Sequence, residues 1–152
     1  MPSVKIVTLI NAPIERCFDL SRSIDLHTDS MKHTGEKAIA GRTSGLIELG
    51  ESVTWEAKHF GIRQTLTSKI TEFNYPNCFV DEQVRGAFKS FRHEHRFVQQ
   101  DGQTLMTDTF TFKSPLGLLG RLANILFLKS YMKRLLLKRN LLIKQEAESP
   151  AR

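Results

Sequence analysis

The chain has 152 residues, of which 40% are hydrophobic, with a net charge of +6 and two cysteines. This size fits one domain with its own core. A membrane-spanning protein is not expected, because the most apolar stretch, Leu116 to Leu128, is short and contains Arg121. Cys17 and Cys78 lie far apart and are expected to be reduced thiols. With an N-terminus that is typical of a strand rather than a signal peptide, these features predict a cytoplasmic protein.

The first part of the chain predicts one strand followed by two short helices. Alternating apolar residues favour a strand over Val4–Ile10. Pro13 and Glu15 suit the first turn of a helix, which is predicted over Pro13–Arg22. A second short helix is predicted over Ile24–Met31.

After the second helix the apolar period changes to two residues, which indicates β-strands. Glycine, proline or Asp-Gly separates most of these segments, as expected for an antiparallel meander. The further predicted strands are Glu36–Ala40, Ser52–Phe60, Ile62–Phe73, Asn77–Arg85, Phe88–Gln99 and Gln103–Lys113.

The last two predicted strands form a hairpin with two chemically different faces. Asp101 and Gly102 both tolerate positive φ, which a two-residue turn requires. This turn places His95 opposite Asp108, and the period of two then collects one set of side chains on a single face. The face is apolar at both ends and carries imidazoles and a carboxylate in its middle. Its members are Phe91, His93, His95, Phe97, Met106, Asp108, Phe110 and Phe112.

A long amphipathic helix is predicted from Leu118 to Glu146, with residues 147–152 as a disordered tail. Its apolar stripe includes Leu122, Ile125 and Met132. The helix holds seven basic residues and one acidic residue, so it accounts for the whole net charge. A helix of this length needs a broad apolar surface, which a curved antiparallel sheet would provide.

The order of elements resembles the SRPBCC superfamily, whose START and birch-pollen-allergen members have the helix-grip fold. The local motifs that carry the resemblance are Ile14–Leu20, Phe79–Gly86 leading into Phe91–Phe97, and Thr104–Asp108 leading to Ser114–Gly117. The more specific resemblance is to bacterial polyketide-cyclase-like ligand-binding members.

The resemblance covers essentially the whole chain. It implies an α+β helix-grip domain over residues 1–146, in which six or seven strands and the long helix enclose a deep cavity. It implies no single function, because the same fold hosts carriers, sensors and cyclases.

The predicted cavity wall extends beyond the hairpin. On Ser52–Phe60, alternation turns Trp55 inward. The inner face of Asn77–Arg85 is ambiguous, and a polar pocket shared with the histidines favours the set that contains Asp81. The lining residues predicted in addition to the hairpin face are Trp55, His59, Asp81, Gln83, Leu122, Ile125 and Met132.

An apolar wall with a few polar groups is typical of a small-molecule site. We predict a carrier or sensor of a lipid-like or polycyclic ligand, with His93, His95 and Asp108 orienting one polar group. No cofactor is predicted.

Two alternative functions use the same histidines. In a cyclase or dehydratase, His95 would be the general acid or base and Asp108 would orient it. In a metal site, His93 and His95 would bind zinc with Asp108 or His59. The spacing alone is a weak signal, so no metal is predicted. A serine hydrolase is not expected, because the sequence has no Gly-x-Ser-x-Gly motif.

The long helix also carries a basic face that is predicted to be exposed. Such a face is usually only solvated, but apolar Leu137 lies within it. A third hypothesis is therefore contact with an anionic membrane surface or a partner protein. Nucleic-acid binding is not expected, because the sheet lacks an exposed aromatic platform. The basic residues concerned are Lys133, Arg134, Lys138 and Arg139.

Overall fold

The structure is a computed structural model that describes residues 2–114 and 121–150, the side chains of 121–124 excepted. This part of the chain contains three helices, seven strands and a 3-10 turn at Lys32–Thr34. In chain order the elements are β1 (Ser3–Ile10), α1 (Ile14–Ser21), α2 (Ile24–Ser30), β2 (Lys37–Gly41), β3 (Ser52–His59), β4 (Ile62–Asn74), β5 (Cys78–Arg85), β6 (Ser90–Gln100), β7 (Gln103–Lys113) and α3 (Arg121–Glu148).

The strands form one antiparallel sheet in the order β1-β7-β6-β5-β4-β3-β2. Strand β1 pairs with β7, the last strand of the chain, while β2 to β7 follow one another as a meander. Helix α3 contacts β1 and both short helices. This arrangement confirms the predicted α+β helix-grip fold.

The predicted hairpin register is confirmed. Gln100 pairs with Gln103 and His95 with Asp108. Asp101 and Gly102 have φ values of 51° and 80°, which is the positive range that the two-residue turn requires. The local sequence was sufficient here, because the turn determines every pairing that follows it.

The core at one end of the sheet is centred on Phe18 of α1, which is fully buried. Its ring lies 5.2 Å from the ring centroid of Phe79 and 5.3 Å from that of Phe97. Aromatic pairs at these distances stabilise a core beyond the burial of their area. Helix α1 therefore closes this end of the sheet, and the space left for a cavity lies elsewhere.

Helix α3 extends beyond its predicted end at Glu146 and continues to Glu148. Ala147 is buried, and its carbonyl oxygen accepts a hydrogen bond of 2.9 Å from Nε of Arg16. Helix α3 thus includes the first two residues of the predicted tail. The predicted helix start at Leu118 lies outside the described residues. No helix of the described chain is long and apolar enough to cross a membrane.

Candidate functional site

A cavity of about 670 Å³ lies between the sheet and α3. Most of its wall is apolar, with large contributions from Trp55 of β3, Phe91 of β6 and Phe110 of β7. Sites for small organic ligands commonly have volumes of about 300–1,000 Å³. The cavity therefore has the size and lining of a site for a hydrophobic small molecule.

The cavity reaches solvent beside the β3–β4 turn. Phe60 and Ile62 border the cavity, yet Phe60 is 56% exposed to solvent and Ile62 is 62% exposed. The Phe60 ring lies 4.6 Å from the ring of Tyr131 on α3. These aromatic side chains form the rim of the opening.

Four titratable side chains form a cluster on the inner face of β5, β6 and β7. His93 donates a hydrogen bond of 2.8 Å from Nε2 to Asp108. His95 donates one of 2.8 Å from Nε2 to Asp81. The two imidazole rings are stacked, with centroids 3.7 Å apart. Each histidine is thus bonded to one carboxylate and lies beside the other ring.

The predicted contact between His95 and Asp108 is present, but it lacks the hydrogen-bond geometry that was expected. The two residues are opposite in register, but His95 Nδ1 lies 3.2 Å from Asp108 Oδ1 and makes no hydrogen bond with it. The His95 ring is instead oriented by its bond to Asp81 on the other neighbouring strand. Register determines which Cβ atoms are close, but the direction of a side chain depends on all of its neighbours.

Helix α3 supplies two further polar groups, Asn140 and Arg139, and the prediction that Arg139 lies on the exposed basic face is wrong. Asn140 is buried and donates a hydrogen bond of 2.7 Å to Asp108 Oδ2. Arg139 is 4% exposed, and its Nη1 lies 3.6 Å from Asp108 Oδ1. It also donates to the carbonyl oxygen of Ser21 at 2.7 Å. Arg139 therefore belongs to the interior and not to a basic surface.

A signal for Asn140 was present in the sequence. It lies four residues after Leu136 and three before Ile143, which is the spacing of one helix face. All three side chains are buried. The basic character of the segment obscured this spacing.

Burial and the neighbouring charges shift the pKa values in the cluster. Burial, together with the adjacent His95, lowers the pKa of His93 to about 4 against the opposing effect of Asp108. Burial alone would raise the pKa of Asp108, but the hydrogen bond from His93 and the proximity of His95 hold it well below the usual value. Burial would also raise the pKa of Asp81, but the hydrogen bond from His95 and the nearby imidazoles lower it overall. At neutral pH both carboxylates are ionised and His93 is neutral.

Some of the predicted lining residues border the cavity and others do not. Phe97 and Met106 are fully buried in the core, because α1 covers that end of the sheet. Phe112 is buried against Phe88, and Asp108 lies behind the histidines. The predicted residues that do line the cavity are Trp55, His59, Asp81, Phe91, His93, His95, Phe110 and Met132.

Three predicted residues remain. Gln83 exchanges hydrogen bonds with the backbone of Phe88 and so holds the β5–β6 connection. Ile125 is half-buried and is not part of the described cavity wall. The side chain of Leu122 lies outside the described residues.

The cavity wall also contains residues that were not predicted. One of them is His27 of α2, whose ring centroid lies 4.3 Å from that of Trp55. Its Nε2 is 3.1 Å from a carboxylate oxygen of Glu36. The contact with Trp55 joins segments far apart in the chain, so no local pattern indicated it.

A model of the polyketide cyclase / dehydrase and lipid transport family matches residues 10–130. The chain belongs to this family. A comparison with curated proteins gives no match.

Solved structures share the fold of this polyketide cyclase / dehydrase family member at low sequence identity. The Zhui aromatase/cyclase from Streptomyces sp. R1128 is 16% identical, with a TM-score of 0.74 over 97% of this chain and 93% of that chain. The major latex-like protein 151 from Panax ginseng is 14% identical, with a TM-score of 0.69 over 97% and 98%. The protein TTHA0849 from Thermus thermophilus is 19% identical, with a TM-score of 0.73 over 97% and 100%. At these identities the similarity shows the fold alone.

Proposed function

We propose that the protein binds a hydrophobic small molecule with one polar group in the cavity between the sheet and α3, as a carrier or sensor. The observation that carries the proposal is an apolar cavity of about 670 Å³ with the Asp81–His95 pair on its wall. Membership of a family described by both cyclase chemistry and lipid transport supports a ligand of this class.

The apolar wall supplies the driving force. A ligand that buries roughly 400 Å² of apolar surface gains about 10 kcal/mol before the cost of association is subtracted. Trp55, Phe91 and Phe110 present flat aromatic surfaces to the cavity. Such surfaces suit a polycyclic or extended hydrocarbon body.

The polar part of the wall offers hydrogen-bond acceptors. Asp81 is ionised and lines the cavity. Because neutral His93 uses its Nε2–H to bond Asp108, its Nδ1 carries a lone pair. This end of the cavity therefore favours a ligand with a donor, such as a phenol or an alcohol.

Trp55, the only tryptophan of the chain, lines the cavity and reports binding by its fluorescence. The probe is 2-naphthol, titrated in buffer with EDTA, alongside native mass spectrometry of the purified protein for a retained ligand. Ala57→Leu, which narrows the cavity, is expected to weaken naphthol binding about tenfold. Lys58→Leu, on the opposite face of β3, is the matched control. Equal naphthol affinities for the two variants, or no binding to the wild type, would contradict the proposal.

A second candidate function is docking of the cavity rim on an anionic membrane surface. Phe127 is 50% exposed, and its ring lies 5.2 Å from that of Phe60 at the rim. Arg134 follows Phe127 by seven residues, so it extends the same helix face, and it is exposed. Exposed aromatic groups beside a cation are typical of interfacial binding.

Co-sedimentation with phosphatidylcholine vesicles, with and without 30% phosphatidylglycerol as a trial composition, tests the docking. Binding is expected only to the anionic vesicles, weaker at high salt and weaker in Phe127→Ala. Leu141→Ala, a change at an exposed position further along α3, is the control. Vesicle binding that is equal for both variants would remove this candidate.

A further inference from the structure

The titratable cluster has the geometry of a metal site as well as that of a polar anchor. His95 Nε2 lies 2.8 Å and His93 Nδ1 lies 3.9 Å from the same oxygen of Asp81. One ligand atom from each of the three residues lies within 4.8 Å of the others. Ligand atoms at about 2.0–2.1 Å from a tetrahedral zinc ion are about 3.3 Å apart from one another. The distances of 2.8 and 3.9 Å from the Asp81 oxygen lie on either side of this value.

We propose that Asp81, His93 and His95 bind a divalent transition-metal ion, with zinc as the expected occupant. Two imidazoles and one carboxylate are a ligand set that zinc accepts. All three residues border the cavity, so the fourth coordination position faces its interior. The metal site does not require the hydrophobic ligand and goes beyond the proposed function.

The second observation is the arrangement of the nitrogens that face away from Asp81. Metal-bound histidines usually donate their other N–H to a carboxylate, a backbone carbonyl or water. His93 already donates from Nε2 to Asp108 Oδ1 at 2.8 Å. His95 Nδ1 lies 3.2 Å from that same oxygen, is buried, and has no hydrogen-bond partner among the described residues. A metal ion on Nε2 would move the proton to Nδ1, where Asp108 can accept it.

Asp108 is in turn held in place for this role. Asn140 donates to its other oxygen at 2.7 Å. Asp108 therefore supports both histidines and does not act as a ligand. His59, which the sequence analysis considered as a third ligand, is bonded instead to Tyr131 through Nδ1 at 2.5 Å.

Zinc uptake by the EDTA-treated and dialysed protein tests the site. Isothermal titration is expected to give one zinc ion per chain, and zinc, unlike magnesium, raises the melting temperature. Cobalt in place of zinc is expected to show the visible bands of a tetrahedral site. Asp81→Asn and His95→Gln abolish these effects, whereas His59→Gln retains them. Asp108→Asn keeps the ligands and weakens zinc binding about 10–100-fold.

Because a ligand variant can lose its fold along with its metal, each variant is first checked for a cooperative melt. If neither ligand variant melts cooperatively, the cobalt spectrum of the wild type decides. Tetrahedral bands support the site, and their absence overturns it. The proposal is also overturned if the wild type takes up no zinc, or if His95→Gln still binds one equivalent. Naphthol binding in EDTA is measured without metal, so the proposed function and the metal site fail separately.

Discussion

Asp108 accepts a 2.8 Å hydrogen bond from His93, although the strand register places it opposite His95. His95 in turn bonds Asp81, which is opposite His93 in the β5–β6 register. The two bonds therefore run diagonally across β6 and cross at the stacked rings. The orientation of each imidazole depends on both neighbouring strands, so a change at either carboxylate is expected to affect both rings.

The bond from Asn140 to Asp108 should contribute measurably to stability. Asn140→Ala leaves a buried carboxylate without one of its donors, which is expected to cost about 1–3 kcal/mol in the free energy of unfolding. Urea denaturation measures this cost. Leu141→Ala, at the adjacent exposed position, is expected to change stability by less than about 0.5 kcal/mol. Similar costs for the two variants would show that Asn140 has no special role.

Arg139 should behave as an interior residue rather than as part of a basic surface. Arg139→Gln leaves Asp108 without a nearby cation and removes the hydrogen bonds to Ser21, which is expected to cost about 3 kcal/mol. Arg134→Gln, which changes an exposed cation on the same helix, should cost less than about 0.5 kcal/mol. Thermal and urea unfolding check both values. A tolerated Arg139→Gln would support the exposed position that the sequence suggested.

The metal-free protein should lose stability in mild acid. The folded state holds the pKa of His93 at about 4, below the ordinary 6.5, so the unfolded chain binds this proton at higher pH. The corresponding stability is complete above about pH 6.5 and is lost as the pH falls towards 4. Asp108, with its lowered pKa, adds a further loss below about pH 4.

Urea denaturation in EDTA at a series of pH values measures this dependence. His93→Gln should flatten the slope between about pH 6.5 and 4. A wild-type stability that is constant over this interval would contradict the prediction.

Asp81 should determine the preference for ligands that carry a hydrogen-bond donor. Asp81→Asn removes the charged acceptor, and a hydrogen bond to a charged group contributes about 1.5–3 kcal/mol. The preference for 2-naphthol over naphthalene is therefore expected to fall about tenfold or more in EDTA, with naphthalene affinity unchanged. Glu82→Gln, on the other face of β5, is the control. An unchanged preference in Asp81→Asn would place the ligand's polar group elsewhere.

The elements that depend on local sequence could be predicted. Alternation and the Asp101-Gly102 turn were sufficient for the strands and for the hairpin register. The inner face of β5 could not be decided in this way, because both alternating sets of that strand contain apolar and charged residues. Asp81 is recognisable as an inner residue only once β5 is paired with β6.

The sequence by itself determined the order of elements, the sheet, and the polar groups on the inner face of the β6–β7 hairpin, because these follow from short-range patterns. Only the tertiary structure decided which histidine meets which carboxylate and that Asn140 and Arg139 reach Asp108. The contacts of Asn140 and Arg139 depend on the rotation of α3 about its axis, which is determined by the packing of the helix on the sheet. The stability of a buried charge is a property of every element around it, and no single segment of sequence contains that information.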